Sequence, residues 1–346
     1  MWLQDPGKAA KYKAAGINVY IALWEGPTEK QLAALKKAGM PLICEQNAVA
    51  LKHLDDPTIV GWLQPDEPDN AQEETDPKTG KKGYGPPVKP AKIVADYEKL
   101  RAADPTRPVL LGLGQGVTNE KWVGRGNEGR PEDYLTYVNG GDILSYDIYP
   151  MASPELGKDA LHLVPQGVDR LRKWTGGKKP TWNCIECTNI GGKGKATPAE
   201  VKTEVWMSII HGTKGIIYFV HQFSPKFDEH ALLDDPEMLK AVTAINRQIR
   251  ELAPVLNEPT VEDGMKVSSE NASVPIDAML KKHDSATYLF AVAMRDGSTK
   301  ATFKLPGIKG GAKIEVIGEN RKVAVQNGAF EDGFEGFGVH LYRIGE

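Results

Sequence analysis

Short apolar runs alternate with longer segments of helical period over the first three quarters of the chain. The apolar runs, which we interpret as strands, cover residues 1–4, 17–24, 40–47, 59–64, 108–116, 142–150, 180–188 and 215–223. Between them, apolar residues recur three and four positions apart, which is the spacing of one helix face. Strands that alternate with helices pair in parallel, and eight such units can close into a barrel. Residues 1–257 are therefore predicted to form an α/β domain, a (β/α)8 TIM barrel.

Local signals mark where several of these helices begin and end. Gly39 follows one helical segment in the place of a C-cap, and Thr197 to Glu200 has the form of a capping box with Pro198 at the first helical position. An open doubly wound sheet is the alternative architecture. It is less favoured because no glycine-rich phosphate loop follows the first strand, and GLGQG at 112–116 does not lead into a suitable helix start.

The pattern changes to period two after about residue 258. Alternating apolar and polar residues occupy 287–296, 312–318 and 337–344, and turn signals such as Asp296-Gly297 and Asn327-Gly328 separate the runs. This pattern is typical of antiparallel strands. Residues 258–346 are predicted to form a small antiparallel β-sandwich domain.

Composition excludes several classes of partner. Lys and Arg total 43 against 46 Asp and Glu, and the formal net charge is −3. Without a basic patch, the chain is not expected to bind nucleic acid. Without an apolar run of ~18 residues, it is not expected to span a membrane. The opening MWLQDPGKAA lacks the layout of a signal peptide, so the cellular location stays open, including secretion or a periplasmic location with a leader absent from this chain.

The cysteines do not indicate a disulfide framework or a metal site. There are three, Cys44, Cys184 and Cys187, an odd number. Cys184 and Cys187 lie three positions apart on a predicted strand, so their thiols should point to opposite faces.

The candidate chemistry lies at the ends of the predicted strands, because the active site of such a barrel lies at the C-terminal ends of its strands. Glu67 ends the fourth strand in GWLQPDEPDN, and Glu186 ends the seventh in CIECT. A glutamate that follows a strand is usually only solvated. Two of them at strands four and seven face each other across the barrel mouth, and glycoside hydrolysis uses two such acids.

The chain resembles clan A of the retaining glycoside hydrolases, which share the (β/α)8 barrel. In that clan the acid/base glutamate ends strand four, usually within Asn-Glu-Pro, and the nucleophilic glutamate ends strand seven. The resemblance implies that Glu67 in PDEP is the acid/base and that Glu186 is the nucleophile. It also implies that Tyr149 in YDIYP hydrogen-bonds the nucleophile, and a β-domain after the barrel is frequent in the clan.

Three features depart from the clan pattern. Asp66 stands where an asparagine usually precedes the acid/base, VHQF ends the eighth strand where many members place a tryptophan, and the first strand is interpreted as incomplete. The negative charge of Asp66 would raise the pKa of Glu67 and help to keep Glu67 protonated. Regular strand geometry would turn the two side chains apart, so this hypothesis requires a local twist or bulge.

Other residues at the strand ends are candidates for substrate binding. They are Trp24, Asp66, Gln115, Tyr146, Asp147, Trp182, His221 and Gln222. Trp24, Trp122 and Trp182 could stack on sugars, although core packing is the commoner role of a tryptophan. The long polar loops 70–87 and 118–131 are interpreted as cleft walls, with Tyr84, Trp122 and Arg125 as possible substrate contacts.

The sequence thus predicts a retaining glycosidase that acts on a β-linked oligo- or polysaccharide and needs no cofactor. A metal-dependent enzyme is less favoured, because Asp228, Glu229, His221 and His230 lack metal-binding spacings such as HxH or HxxE. The rival from another class is a carbohydrate-binding barrel without turnover. The oligomeric state, the sugar and the choice of endo or exo attack stay open.

Overall fold

The computed structural model describes residues 1–119, 130–192, 194–306, 308 and 311–345. Seven strands form one curled parallel sheet whose spatial order follows the chain. These strands are β1 (Tyr20–Ile21), β2 (Leu42–Cys44), β3 (Ile59–Leu63), β6 (Val109–Leu113), β7 (Ile143–Asp147), β8 (Thr181–Glu186) and β9 (Gly215–Phe219). Strands β4 (Glu73–Thr75) and β5 (Lys82–Tyr84) form a separate exposed hairpin between β3 and β6.

Helices connect the strands of the sheet. They are α1 (Ala9–Ala14), α2 (Glu29–Ala38), α3 (Pro90–Ala103), α4 (Tyr134–Tyr137), α5 (Leu163–Trp174), α6 (Pro198–Ile210) and α7 (Pro236–Leu256). Short 3-10 helices occupy Pro6–Lys8, Ala50–His53, Gln115–Val117, Pro131–Asp133 and Lys158–Ala160. Within the described ranges, none of the helices combines the length and the apolar character that crossing a membrane requires.

The prediction of eight strands needs a correction at the N-terminus. Residues 1–4 form no strand, although Trp2 makes a parallel bridge to Ile21. The Trp2 amide donates to the Tyr218 carbonyl (3.3 Å) and the Leu3 amide donates to the Ile21 carbonyl (2.7 Å), so this segment lies between β1 and β9, the two edges of the sheet. Leu3 has a φ of 42°, which ends extended pairing at once.

Two apolar layers build this α/β domain. A small cluster, which we call the interior cluster, contains Ile21, Ile43, Leu63, Leu110, Cys184 and Ile217. A larger cluster packs the outer face of the sheet against the helices and includes Cys187. Cys184 and Cys187 therefore lie on opposite sides of the sheet, as the odd spacing predicted.

The predicted helix signals are confirmed at two helix ends. Gly39 caps α2 with a left-handed φ of 60°, which glycine adopts without a steric penalty. Thr197 and Glu200 form a reciprocal capping box at the start of α6. A second capping box, between Thr28 and Gln31, begins α2.

The C-terminal region forms two antiparallel sheets, as the period-two pattern predicted. One contains β10 (Lys266–Ser269), β13 (Thr299–Lys304) and β16 (Ala329–Phe334). The other contains β11 (Ile276–His283), β12 (Ala286–Ala293), β14 (Lys313–Val316), β15 (Arg321–Ala324) and β17 (Val339–Ile344). Apolar residues of both sheets, including Phe303 and Leu289, form one core. The domain boundary at residues 257 and 258 stays a prediction.

A histidine joins the α/β domain to the C-terminal sheets. His211, which follows α6, contacts Asp169 of α5 through Nδ1 (2.8 Å) and Asp277 of β11 through Nε2 (3.0 Å). Burial alone would lower the pKa of His211, but the hydrogen bonds and charges of both carboxylates outweigh burial and raise this pKa to about 9. The folded protein therefore stabilises the protonated form of His211.

We expect His211→Ala to lower the free energy of unfolding at pH 6 by about 1–2 kcal/mol, since two charge-assisted hydrogen bonds are lost at a partly exposed site. Because the folded pKa lies above the ordinary value of about 6.5, the stabilisation is complete below that value and disappears as the pH rises through about 9. Urea unfolding of both proteins at pH 6 and pH 9.5 measures the difference. An equal loss at both pH values would contradict the charged role of His211.

Candidate active site

Glu67 lies at the C-terminal end of the sheet in an unusual backbone conformation. It follows β3 with a φ of 42°, in the left-handed region that residues other than glycine rarely adopt. Its amide donates to the Gly112 carbonyl (3.1 Å), and its own carbonyl accepts from the Asn70 amide (3.0 Å). Strain of this kind is often found at functional sites, where the surrounding structure maintains it. It also supplies the local irregularity that the Asp66 hypothesis requires.

The loop after β6 leaves room for the Glu67 carboxyl group. A Cβ atom at Gly114 would lie 3.1 Å from Glu67 Oε1 and 2.8 Å from Asn70 Nδ2. Buried Asp69 fixes this loop, because Oδ1 accepts from the Gly114 amide (2.9 Å) and Oδ2 accepts from the Tyr134 hydroxyl (2.8 Å). Asp69 and Gly114 were not predicted from the sequence, where the only signal is the position of Asp69 two residues after Glu67.

Glu67 is hydrogen-bonded to Asp147, the last residue of β7. Burial raises the pKa of Asp147 well above its usual range, and the charge and hydrogen bond of Glu67 raise it further. Two carboxyl groups can form a hydrogen bond only when one of them carries a proton, because an ionised carboxylate only accepts. Glu67 and Asp147 therefore share a proton at the C-terminal end of the sheet.

Asp66 adds a third carboxyl group to this pair. It keeps solvent-exposed surface, and its Oδ1 lies close to Gly112, where a Cβ would approach within 3.2 Å. Desolvation raises the pKa of Asp66 to about 8, and the charges of Glu67 and Asp69 contribute to the rise. The charge of Asp66 in turn raises the pKa of Asp147. The charge of Glu67 thus favours a proton on both Asp66 and Asp147.

Glu186 lies at the end of β8, but it is fully buried, with no exposed surface. Its Oε1 accepts from the Met151 amide and its Oε2 accepts from the Ala152 amide, both at 2.7 Å. Burial raises the pKa of Glu186 to about 7, and the two amide hydrogen bonds oppose that rise. The two amides fix the orientation of the carboxylate. For Glu186 to attack a sugar, one of these two amide hydrogen bonds would have to break.

A second buried glutamate, Glu204 of α6, interacts electrostatically with Glu186. Neither carboxyl oxygen of Glu204 has a hydrogen-bond partner within the described ranges. Burial raises the pKa of Glu204 well above its usual range, and the charge of Glu186 adds to the rise. Burial therefore favours the protonated form of Glu204.

Three predicted contacts of the site are wrong. Tyr149 does not hydrogen-bond Glu186, because its hydroxyl donates to Cys184 Sγ (3.3 Å) and it also bonds Asp147. Tyr146 is buried on the helix side of the sheet, where its hydroxyl donates to the Val164 carbonyl. Adjacent residues of a strand face opposite sides, so Tyr146 and Asp147 cannot both line the mouth.

Trp182 is the third wrong contact. It shares a face with Cys184 and Glu186, but it lies at the start of β8, about 13 Å along the strand from Glu186 at the usual rise per residue. Its ring lies against Gly215 at the start of β9. It therefore lines a cavity at the N-terminal ends of the strands rather than the C-terminal ends, where Glu67 and Glu186 lie.

Exposed aromatic rings lie beside the C-terminal ends of β1 and β9. The residues are Trp24 (44% exposed), Phe223 (54%) and Phe227 (48%), and we call them the aromatic wall. The Phe223 and Phe227 rings stack at 5.8 Å, and the Trp24 ring meets Phe227 edge-on at 6.2 Å. Phe223 and Phe227 were not predicted from the sequence, although Phe223 belongs to the VHQF run that departs from the clan pattern.

His221 packs against the Trp24 ring of the aromatic wall. It is buried, its ring stacks on Trp24 at 5.8 Å, and its Nε2 donates to the Leu3 carbonyl (2.7 Å). Trp24 Nε1 donates to Glu229 Oε2 (2.6 Å) and is thereby fixed in place. These contacts give His221 a structural position, and its predicted contact with substrate stays a prediction.

The remaining predicted residues lie in loops after the strands. Gln115 follows β6 and accepts at Oε1 from Asn119 Nδ2 (3.2 Å). The backbone of Gln222 pairs with that of Asp228. Tyr84 is exposed on the β4–β5 hairpin, whereas Trp122 and Arg125 lie outside the described residues.

Asp228, His230 and Asp234 are brought together after β9. One potential ligand atom of each lies within 4.8 Å of the others. The sequence spacing of Asp228 and His230 did not predict a metal site. The three side chains are brought together by a loop rather than by a regular element, so no sequence spacing indicates their proximity. These side chains could hold a cation, and no step proposed below depends on one.

Comparison with known proteins shows likeness in fold. No family model and no curated protein sequence matches the chain. Among solved structures, AmyP in complex with maltose has a TM-score of 0.55 at 9% identity, covering 98% of this chain and 88% of its own. The glycoside hydrolase family 30 subfamily 8 xylanase Xyn30A from Clostridium acetobutylicum has a TM-score of 0.51 at 12% identity, covering 99% and 93%.

The endo-beta-1,4-mannanase from Thermotoga petrophila has a TM-score of 0.50 at 12% identity, covering 95% of this chain and 87% of its own. At these identities the likeness concerns the fold alone. It supports a barrel-like α/β fold over nearly the whole length of the chain, although one of the eight strands of the predicted closed barrel, at residues 1–4, is not formed.

Proposed function

We propose that this protein is a retaining glycoside hydrolase that cleaves a β-linked oligo- or polysaccharide. The observation that carries the proposal is Glu67, whose left-handed backbone and hydrogen bond to Asp147 place a protonated carboxyl pair at the C-terminal end of the sheet. A carboxylic acid in this position suits protonation of a glycosidic oxygen.

Glu67 is the general acid/base in this proposal. A general acid has to arrive protonated at the working pH, and the proton held between Glu67 and Asp147 meets that need. When it is ionised, Asp66 favours a proton on Asp147 through its charge and can accept a hydrogen bond from a sugar hydroxyl. After leaving-group departure, the ionised pair can take a proton from the attacking water.

Glu186 is the nucleophile in this proposal. The amides of Met151 and Ala152 stabilise the ionised carboxylate, which is the form that attacks. When an oxygen of Glu186 forms the glycosyl bond, it gives up one amide bond and keeps the other. Tyr149, which bonds Asp147, orients the acid/base pair instead of the nucleophile.

The aromatic wall supports a saccharide substrate. Carbohydrate sites combine apolar ring surfaces with a few polar groups, and Trp24, Phe223 and Phe227 offer such surfaces beside the mouth. The similar folds include a xylanase and an endo-beta-1,4-mannanase, which favours a β-linked glycan. AmyP, bound to maltose, shows that this kind of fold also accommodates other sugars.

The second candidate function is carbohydrate binding without turnover. The complete burial of Glu186 favours it, because a nucleophile needs access to the anomeric carbon. A panel of aryl β-glycosides and soluble β-glycans separates the two functions. Hydrolysis predicts released aryl alcohol or new reducing ends, whereas binding without any release from the same sugars would support the second candidate.

We expect Asp147→Asn to move the alkaline limb of the kcat/KM profile to lower pH, by on the order of one unit. The variant removes a carboxyl partner that raises the proton affinity of the pair, and the new amide donates to ionised Glu67. The acid is then lost at lower pH. Asp66→Asn, which keeps the hydrogen bond between Glu67 and Asp147, should give a smaller shift in the same direction. If the alkaline limb of the kcat/KM profile does not move in either variant, Glu67 and Asp147 do not share a proton.

A further inference from the structure

A large cavity lies at the N-terminal ends of the strands, opposite the acids of the mouth. Its volume is about 1010 Å³, and its lining comes from the starts of β8 and β9, from α7 and from β11 of the C-terminal sheets. Trp182 provides an aromatic surface and Asn246 a polar side chain. A cavity of this size accommodates a small organic molecule rather than a lone ion.

The charged residues that line this cavity are all cationic. They are Arg172, Lys178, Lys179, Lys214, Arg250 and Lys281. The lining contains no Asp or Glu among the described residues. Acids outnumber bases in the chain as a whole, with a formal net charge of −3, so the composition does not explain this concentration of positive charge.

Three of these cations lie close together without a carboxylate in contact. Lys281 is buried, and its Nζ donates to the backbone carbonyl of Glu258 (2.6 Å). Burial lowers the pKa of Lys281, and the positive charges of Lys214 and Arg172 lower it further, whereas the carboxylates of Glu262 and Glu258 oppose this lowering. Arg172 donates from Nη1 to the His211 carbonyl (2.7 Å). Both of these direct contacts are to backbone carbonyl groups rather than to carboxylates.

Several of the lining cations also have unused donors. The side chains of Lys178, Lys214 and Arg250 form no hydrogen bond or ion pair with the part of the chain that the structure describes. Positive side chains that line the same cavity repel each other, and an anion bound between them would offset this repulsion. Phosphate and sulfate groups match lysine and arginine donors well, since they offer several acceptor oxygens.

We propose that this cavity binds a small molecule that carries a phosphate or sulfate group. The anionic group contacts Lys214, Arg172 and Lys281, and the remainder of the molecule lies toward Trp182. Because the lining combines both parts of the chain, the ligand contacts the α/β domain and the C-terminal sheets together. The site is separate from the proposed sugar site and does not depend on the proposed hydrolysis.

Calorimetry and thermal unfolding at constant ionic strength test the proposal. The probes are glucose 6-phosphate, glucose 6-sulfate, glucose and inorganic phosphate. We expect saturable binding of one or both anionic sugars and a rise in Tm of at least about 2 °C at 10 mM. Glucose should give neither. A response to inorganic phosphate as strong as that to the sugar anions would identify the ion itself as the ligand.

Variants separate this site from general charge effects. Lys214→Gln removes an exposed lining cation and should weaken binding at least tenfold. Lys173→Gln, an exposed lysine of α5 outside the lining, is the matched control and should leave binding unchanged. The proposal is overturned if no anionic probe binds saturably, or if both variants bind like the original protein.

Discussion

Glu67→Gln is expected to lower kcat/KM for glycan hydrolysis by about 10³-fold, since general acid–base catalysis contributes roughly 10²–10⁴-fold. Glutamine keeps the size of the side chain and can still hydrogen-bond Asp147, but it cannot donate a proton to a glycosidic oxygen. The loss should be largest for substrates with poor leaving groups. Aryl glycosides whose leaving groups depart without protonation should lose less, because their first step needs little acid assistance.

The control for this variant is Glu73→Gln, on the exposed β4 strand that follows the same loop. It changes the same chemical group a few residues away and should leave kcat/KM within about twofold, as for most surface substitutions. Steady-state rates on a series of aryl glycosides of graded leaving-group pKa measure both variants. If Glu67→Gln keeps more than a tenth of the original activity on poor leaving groups, Glu67 is not the acid.

Glu186→Ala is expected to abolish turnover, because no glycosyl-enzyme can form without the carboxylate. Added azide can occupy the space of the lost side chain and attack the anomeric carbon directly. It should restore part of the activity and give a glycosyl azide of inverted configuration. A purely structural role would not produce this rescue.

The burial of Glu186 requires a second variant and a control. Alanine leaves the Met151 and Ala152 amides without their acceptor, and an unsatisfied buried donor costs about 1–3 kcal/mol, so stability has to be measured alongside activity. Glu186→Gln preserves an acceptor for one amide and should be equally inactive. Glu155→Gln, exposed on the neighbouring loop, should be fully active. More than a tenth of the original activity in a folded Glu186→Ala protein would contradict its role as nucleophile.

Much of the fold could be predicted from local patterns, because each signal acts within a few residues. The glycine cap of α2 and the capping box of α6 are short-range hydrogen-bond motifs, and the period-two alternation of the C-terminal region follows from strand geometry. The N-terminal segment was predicted incorrectly. An apolar run does not reveal that Leu3 turns the backbone after a single bridge to Ile21.

The candidate site was predicted less completely, because its geometry depends on contacts between distant elements. Alternation indicates which face of β8 carries Trp182, but not that the ring lies at the opposite end of the strand from Glu186. The left-handed backbone of Glu67 depends on its hydrogen bond to β6. Its bond to Asp147 joins residues 80 positions apart in the sequence. Neither contact has a local sequence signal.

The anomeric configuration of the first-formed product tests the central proposal most directly. Proton NMR during the first minutes of hydrolysis, before mutarotation equilibrates the sugar, should show the same configuration as the substrate. Retention is the result expected of a nucleophilic Glu186 assisted by Glu67, with carboxyl groups ~5–5.5 Å apart in the working enzyme. An initially inverted product would mean direct attack by water between carboxylates ~6.5–9.5 Å apart, and would contradict the double displacement.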